Sequence, residues 1–196
     1  MRKARIFHPI VKWVFTLFLL VFIPTYWTFY GSENFLWISD VALFFLYLAI
    51  VFESKMLASM AIVGDLFYAT VWSLDFLYTL LAPSPGLTRY MLNPDLPIGV
   101  RVLSLFHIAL PPLMFWVVRR LGYAPRAWRC QIAVSTALLF LAWFVSSPEQ
   151  NINFAFGYHY FGWEPMPYLV LFSIANGVLI WLTHIALRSL IKKMRI

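Results

Sequence analysis

The chain has 196 residues, of which 62% are hydrophobic and only 12% are charged. Soluble domains are about 45–50% apolar and about 25% charged, so the composition excludes an ordinary soluble domain and predicts that lipid covers part of the protein. The single cysteine, Cys130, excludes an intramolecular disulfide. No Cys/His metal spacing is present, so neither a metal nor a cofactor is expected.

In chain order, the sequence contains six apolar stretches, each close to the length of about 20 residues that a membrane-spanning helix needs. The first follows a basic segment, as in a signal peptide. It is long and aromatic and has no small-residue cleavage site before Gly31, so it is interpreted as a retained span that Pro24 kinks. The third span contains Asp65 and Asp75. The predicted spans are 11–30, 34–52, 56–81, 97–118, 128–145 and 166–190.

The basic residues set the direction of these spans. With the N-terminus in the cytoplasm, 13 of the 15 Lys and Arg residues fall on the cytoplasmic side, and only Arg89 and Arg101 fall outside. We therefore predict one all-α transmembrane bundle over residues 1–196, with six spans and both termini cytoplasmic. The net charge of +7 is then explained without nucleic acid as a partner. The 13 residues are Arg2, Lys3, Arg5, Lys12, Lys55, Arg119, Arg120, Arg126, Arg129, Arg188, Lys192, Lys193 and Arg195.

Ionisable side chains at membrane depth are costly, so each is a candidate functional residue. With a rise of about 1.5 Å per residue, Asp40 and Asp75 lie about 9 Å below the outer ends of their spans. In span four, Arg101 lies about 6 Å and His107 about 15 Å deep by the same rise, while Asp65 falls near the midplane. We therefore predict an outward-facing polar cavity beneath the Pro- and Gly-rich outer segments 83–95 and 146–167. These outer segments carry Asn93, Asp95, Asn151, Asn153, His159 and Glu164.

A structural interpretation stays open for the same residues. Arg101 would then pair with Asp40 or Asp75 and hold helices together, His107 would be a satisfied core residue, and His159 would belong to an interfacial aromatic belt. Asp65 and Asp75 are ten positions apart in span three and point about 80° away from each other on a helix. This spacing argues against a single metal-binding face.

Four short motifs carry a family resemblance: Ser39-Asp40 in span two, Asn93-Pro94-Asp95-Leu96, His107 in span four, and Asn151-Ile152-Asn153-Phe154 leading to Gly157. In this order they resemble the YwaF-like bacterial integral membrane proteins. The resemblance extends over roughly residues 34–190 and implies a location in the bacterial cytoplasmic membrane.

The wider group of similar proteins includes an acyltransferase that remodels ether phospholipids and the androgen-induced hydrolases of fatty acid esters of hydroxy fatty acids. In those relatives an intramembrane Thr or Cys is the nucleophile and a histidine is the base. The resemblance implies the base role for His107. The relatives' nucleophile falls at Leu36 or Trp37, and the nearest hydroxyl is Ser39, which stands in the place of the bacterial family's cysteine.

Three functional hypotheses follow. The first is a lipid acyl-ester hydrolase or acyltransferase in which Ser39 is the nucleophile, His107 the base, Asp40 an orienting group and Asn153 an oxyanion donor. The second is a membrane protein that binds lipid or a partner without catalysis, and the third is a small proton-coupled transporter. Membrane lipid is the expected partner, while a protein partner or homo-oligomer is left open. The candidate binding residues are Asp75, Arg101, Asn151, His159 and Trp37.

Overall fold

The computed structural model describes residues 6–82 and 86–194, and the basic residues Arg2, Lys3, Arg5 and Arg195 lie outside this part. Within it the protein is all-α and contains no strand. Three 3₁₀ turns (Ser32–Leu36, Arg89–Leu92 and Ile152–Phe154) connect the helices. The helices are α1 (Pro9–Tyr30), α2 (Ile38–Phe52), α3 (Lys55–Leu81), α4 (Ile98–Ser104), α5 (Phe106–Leu121), α6 (Ala127–Val145), α7 (Tyr158–Phe161) and α8 (Pro165–Met194).

Five helical segments in the described residues are long and apolar enough to cross a membrane, which supports the prediction of a membrane-embedded helical protein. These are α1, α3, the combined segment Ile98–Leu121, α6 and the Pro165–Ile191 part of α8. Many large apolar side chains on their outer faces are exposed, as lipid contact requires: Leu20 is 64% and Phe144 69% exposed.

The second and fourth predicted spans differ in detail from the structure. Residues 34–52 do not form one helix: Ser32–Leu36 is a 3₁₀ turn, Trp37 is extended, and α2 begins only at Ile38. The 15 residues of α2 are about 22 Å long, which is shorter than a bilayer core of about 30 Å. The fourth span is interrupted at Leu105, between α4 and α5. The count of six spans and the cytoplasmic termini stay predictions.

Helix α3 forms the centre of the bundle and contacts α2, α5, α6 and α8. Every residue from 58 to 65 is buried, so this part of α3 is enclosed on all sides. Three of these positions, Ala58, Ala61 and Gly64, are small and allow neighbouring helices to approach closely.

A tight turn joins α2 to α3 as an antiparallel pair. Glu53 ends α2 in the left-handed conformation (φ 53°), and the Ser54 side chain caps α3 by accepting a hydrogen bond from the backbone N–H of Leu57. Residues equally far from this turn therefore lie at similar depth. We call this end of the bundle, where α1 and α6 begin, the basic end. The opposite end, with the three 3₁₀ turns and α7, is called the loop end.

Candidate functional site

A cavity of about 510 Å³ lies in the half of the bundle nearer the loop end. Its volume falls within the range of about 300–1,000 Å³ that is typical of ligand pockets. The walls are mainly aromatic and aliphatic, including Phe67, Val71, Trp72, Leu138, Leu139 and Phe172. The polar lining includes Ser39, Asp40, Ser104, His107, Asn153 and Asn176.

Ser39 connects the cavity to a buried carboxyl group. Its hydroxyl donates a hydrogen bond of 2.6 Å to Oδ1 of Asp65. Asp65 is fully buried, and its Oδ2 has no hydrogen-bond partner among the described residues. Ser39 lines the cavity while Asp65 lies behind it, so a ligand would reach the hydroxyl before it reached the carboxyl group.

Asp40 is the second acidic residue at the site. It lines the cavity, is only 2% exposed, and its Oδ2 accepts a hydrogen bond of 3.1 Å from the side-chain amide of Asn34. Two carboxyl groups therefore stand on adjacent helices, one on the cavity wall and one behind Ser39. The two carboxyl groups make the part of the cavity wall around Ser39 and Asp40 acidic, although the cavity is mainly apolar.

The ring of His107 is held in one orientation. Its Nδ1 lies 2.9 Å from the backbone oxygen of Ser104, and since a carbonyl only accepts, Nδ1 carries the proton. In neutral imidazole the other nitrogen, Nε2, is then an acceptor. Trp72 stacks on the ring at 4.5 Å between centroids, and Phe106 contacts it at 4.0 Å.

Tyrosines complete the polar lining. The hydroxyl of Tyr26 is hydrogen-bonded to that of Ser104 at 2.6 Å, and Tyr68 donates to Oδ1 of Asn176 at 2.9 Å. Tyr90, in the 3₁₀ turn Arg89–Leu92, also lines the cavity, and burial raises its pKa to about 12. The Tyr90 phenol therefore stays neutral at physiological pH.

Asn153 joins the loop end to α2. Its Oδ1 accepts from the backbone N–H of Ile38 at 2.9 Å, and its Nδ2 donates to the backbone oxygen of Leu36 at 2.7 Å. One of its two N–H bonds is thus committed to the backbone, although the residue lines the cavity. Trp37 also lines the cavity and packs edge-on against Phe154. This arrangement fixes the start of α2, and with it the positions of Ser39 and Asp40.

The other predicted binding residues do not line this cavity. Asp75 accepts two hydrogen bonds of 2.8 Å from the backbone and hydroxyl of Thr88. Arg101 donates to the backbone oxygen of Met91 and makes no ion pair within the described part of the chain.

The remaining two predicted binding residues, Asn151 and His159, lie at the loop end. Asn151 accepts from the backbone N–H of Phe156 at 2.8 Å, so its side chain stabilises the turn that follows it. His159 is exposed; its ring is stacked on Phe156 and tilted against Tyr158. The structure therefore groups Ser39, Asp40, His107, Asn153 and Trp37 around the cavity and leaves Asp75, Arg101, Asn151 and His159 outside it.

The sequence did not assign Asp65 to the site, nor the cavity-lining residues Ser104 and Asn176. A signal for Asp65 exists in the α2–α3 pair: Ser39 stands 14 residues before Glu53, and Asp65 stands 11 residues after Ser54. At about 1.5 Å per residue these two positions lie about 21 Å and 16 Å from the turn, at similar depth. What depth does not give is which faces of the two helices meet.

Chemically, the site presents a hydroxyl bonded to a carboxyl group and, on the same cavity, an imidazole with an accepting nitrogen. The Ser39 hydroxyl donates to Asp65, so the predicted pairing of Ser39 with His107 is not formed as a direct hydrogen bond. Among residues 6–82 and 86–194, no group of three or more His, Cys, Asp or Glu side chains could hold a metal ion.

Comparisons of the chain with protein-family models, with curated proteins and with solved structures found no match.

Proposed function

We propose that this membrane protein binds an acyl lipid in the cavity, with the acyl chain against the aromatic walls and the lipid's ester or other polar group at Ser39, Asp40 and His107. The observation that carries the proposal is the composition of the cavity lining: apolar over most of its surface, with Ser39 and Asp40 on α2 and His107 at the start of α5 among its polar groups. An amphiphile has the same division, because an apolar chain ends in a group that accepts or donates hydrogen bonds.

The cavity also borders the surface that faces lipid. Phe67 and Leu87 belong to its lining, yet they are 47% and 51% exposed. Large exposed apolar side chains at the edge of a cavity favour entry from hydrocarbon over entry from water, since water-filled entrances are lined by polar groups. This supports a ligand that is itself dissolved in the bilayer.

The test is to extract and identify lipids that remain bound to the purified protein, comparing two matched variants of α3. Val71→Phe adds bulk inside the cavity, while Leu74→Phe makes a similar change at a position that is 61% exposed and outside the lining. We expect Val71→Phe to lower the amount of retained lipid and Leu74→Phe to leave it unchanged. Equal retention by both variants would refute binding in this cavity.

One contact favours a second function on the same site, acyl-ester hydrolysis or acyl transfer. The 2.6 Å hydrogen bond from Ser39 to Asp65 gives a cavity-lining hydroxyl an acceptor for its proton. A serine needs such a base within hydrogen-bond reach in order to attack an ester carbonyl. In this version Asp65 takes the base role that the resemblance implies for His107.

Acyl transfer would begin at the Ser39 hydroxyl and return its proton to the leaving group. Ser39 Oγ forms a bond to the acyl carbon while its proton passes to Asp65; the ester C–O bond breaks, and the leaving alkoxide takes that proton back to become the alcohol. Water or an acceptor alcohol then cleaves the acyl-serine by the reverse sequence. His107 Nε2, which accepts hydrogen bonds, would orient that water or alcohol.

Catalysis is tested with a fluorophosphonate probe and with a long-chain ester as substrate. Ser39→Ala should abolish labelling and turnover, whereas Ser135→Ala, which removes another cavity-lining hydroxyl, should retain both. Lipid retention without labelling or turnover in the unmodified protein would leave the binding function and exclude the enzymatic one.

A further inference from the structure

A second recess lies at the basic end of the bundle, whereas the cavity lies nearer the loop end. It is an open groove of about 840 Å³ between the start of α6 and the last part of α8. Three exposed arginines line it: Arg126 immediately before α6, Arg129 on α6 and Arg188 on α8. Trp128, Trp181 and Ile185 form its apolar surfaces.

No carboxylate neutralises these arginines in the described part of the protein, where the only ion pair joins Lys12 to Glu53. The sequence explains why: it has no acidic residue between Asp95 and Glu149 and none after Glu164. Tyr123 lies beside the groove, hydrogen-bonded to His184 at 2.7 Å. Burial raises the pKa of Tyr123 to about 12, so this phenol adds no negative charge.

The placement of Arg126 and Arg129 is not explained by membrane orientation alone. The positive-inside rule requires basic residues at this end of the bundle but does not require them in the first turn of a helix. Arg126, immediately before α6, and Arg129, in its first turn, both lie at the positive end of the α6 dipole, and both interactions with the dipole are repulsive. A bound anion would relieve them, and guanidinium groups suit a phosphate in particular because they bind it with two parallel hydrogen bonds.

An apolar strip continues from the groove along α8. Trp181 and Ile185 are each 44% exposed, and Val178, 49% exposed, follows on the same face toward the loop end. From Arg188 to Val178 this face extends about 15 Å. A cationic end followed by an exposed apolar strip matches a phosphate headgroup with its acyl chain, and free phosphate would use only the first part.

We infer that this groove binds the phosphate headgroup of an anionic membrane lipid, with Arg126, Arg129 and Arg188 holding the phosphate and the Trp181–Ile185 face of α8 in contact with the acyl chain. Basic pockets between helices at the cytoplasmic side of membrane proteins have this chemistry. The inference is independent of the cavity near the loop end and of any reaction there.

The experiment is native mass spectrometry of the full chain in neutral detergent, titrated with phosphatidylglycerol or with phosphatidylcholine that carries the same acyl chains. The groove variant R126Q/R129Q/R188Q should bind phosphatidylglycerol more weakly by about tenfold or more. The matched control K55Q/R119Q/R120Q removes the same charge at the same end, outside the groove, and should keep most of the affinity. Equal losses in the two variants would overturn the site in favour of general charge attraction.

Two further measurements, competition with inorganic phosphate and a lysine variant, test whether the groove binds a lipid and whether guanidinium groups recognise it. Inorganic phosphate, added at the concentration of the lipid, should fail to displace it; displacement would show that the groove takes free phosphate and would overturn the lipid assignment. If the glutamine variant does not fold, R126K/R129K/R188K keeps the charge, and it should still bind more weakly because an ammonium group cannot bind bidentately. Wild-type affinity in that variant would contradict recognition by guanidinium groups.

Discussion

The hydroxyl of Ser39 and the carboxyl group of Asp65 are joined by a 2.6 Å hydrogen bond that connects α2 to α3 at the wall of the cavity. It is the one hydrogen bond that the carboxyl group of Asp65 makes within the described residues, because its Oδ2 has no partner. A polar atom buried without a partner is costly in free energy. This pair is therefore important for stability whether or not the site catalyses a reaction.

Ser39→Ala should destabilise the protein. The substitution leaves the fully buried Asp65 without its hydrogen-bond donor, and an unsatisfied buried group costs about 1–3 kcal/mol, more if charged. We expect a lower midpoint of thermal unfolding in detergent. Ser146→Ala is the control, since its hydroxyl donates to the backbone oxygen of Ala142, which keeps a second hydrogen bond from the backbone N–H of Ser146.

The pair can be separated from the rest of the core by a double-mutant cycle with Asp65→Asn. The amide is nearly isosteric, and its oxygen can still accept from Ser39, so this variant should lose less stability than Ser39→Ala. In the double variant the two effects should not be additive, because both substitutions change the same hydrogen bond: Ser39→Ala removes its donor and Asp65→Asn alters its acceptor. Additive effects would contradict a direct Ser39–Asp65 interaction.

Asn153→Ala should loosen the start of α2. It removes the hydrogen bonds to Ile38 and Leu36, each worth about 0.5–1.5 kcal/mol. It also leaves alanine in the left-handed conformation (φ 52°), which is unfavourable for a residue with a Cβ. Thermal unfolding and limited proteolysis near residues 31–37 measure the effect.

Asn153→Gly separates the loss of the side-chain hydrogen bonds from the cost of the left-handed conformation. Glycine removes the same side-chain hydrogen bonds but adopts the left-handed conformation freely, so it should be less destabilising than alanine. Equal stability of Asn153→Ala and the unmodified protein would show that the side-chain hydrogen bonds do not hold α2.

Hydropathy predicted most of the helices because apolar composition alone indicates a membrane helix. The boundaries of α1, α3, α6 and α8 lie within a few residues of the predicted spans. The interruption at Leu105 could not be predicted, since leucine is a good helix former and the Pro111–Pro112 pair, the obvious candidate for a break, lies within α5. Likewise, the polar residues 32–34 indicate a turn after Gly31, but Phe35 and Leu36, which complete the 3₁₀ turn, are as apolar as the helix that follows.

The candidate site was only partly predictable, because sequence gives the depth of a residue but not its neighbour. Asp40 and His107 line the cavity, while the membrane depths expected for them stay predictions. Asp65 and Asp75 do point apart, as their spacing predicts: Asp65 contacts Ser39, and Asp75 contacts Thr88. Which face each residue meets depends on how α3 is rotated against its neighbours, and that rotation is set by packing of small residues along its whole length.

Asp75→Ala should release the segment that follows α3. Its carboxyl group accepts two hydrogen bonds from Thr88, so we expect a loss of about 1–2 kcal/mol and faster proteolysis near residues 86–92. Thr88→Ser keeps both donors and is the matched control. Unchanged proteolysis in Asp75→Ala would contradict an anchoring role and return Asp75 to the list of candidate ligand-binding residues.

The tautomer of His107 is a direct prediction of its surroundings. Because Nδ1 donates to the backbone oxygen of Ser104, the neutral ring should carry its proton on Nδ1 and leave Nε2 free to accept. Nitrogen NMR of histidine-labelled protein distinguishes the two tautomers, and His107→Gln identifies the signal. A proton on Nε2 instead would leave Nδ1 and the Ser104 oxygen as two facing acceptors. It would refute the ring orientation on which His107's role in binding or orienting a ligand depends.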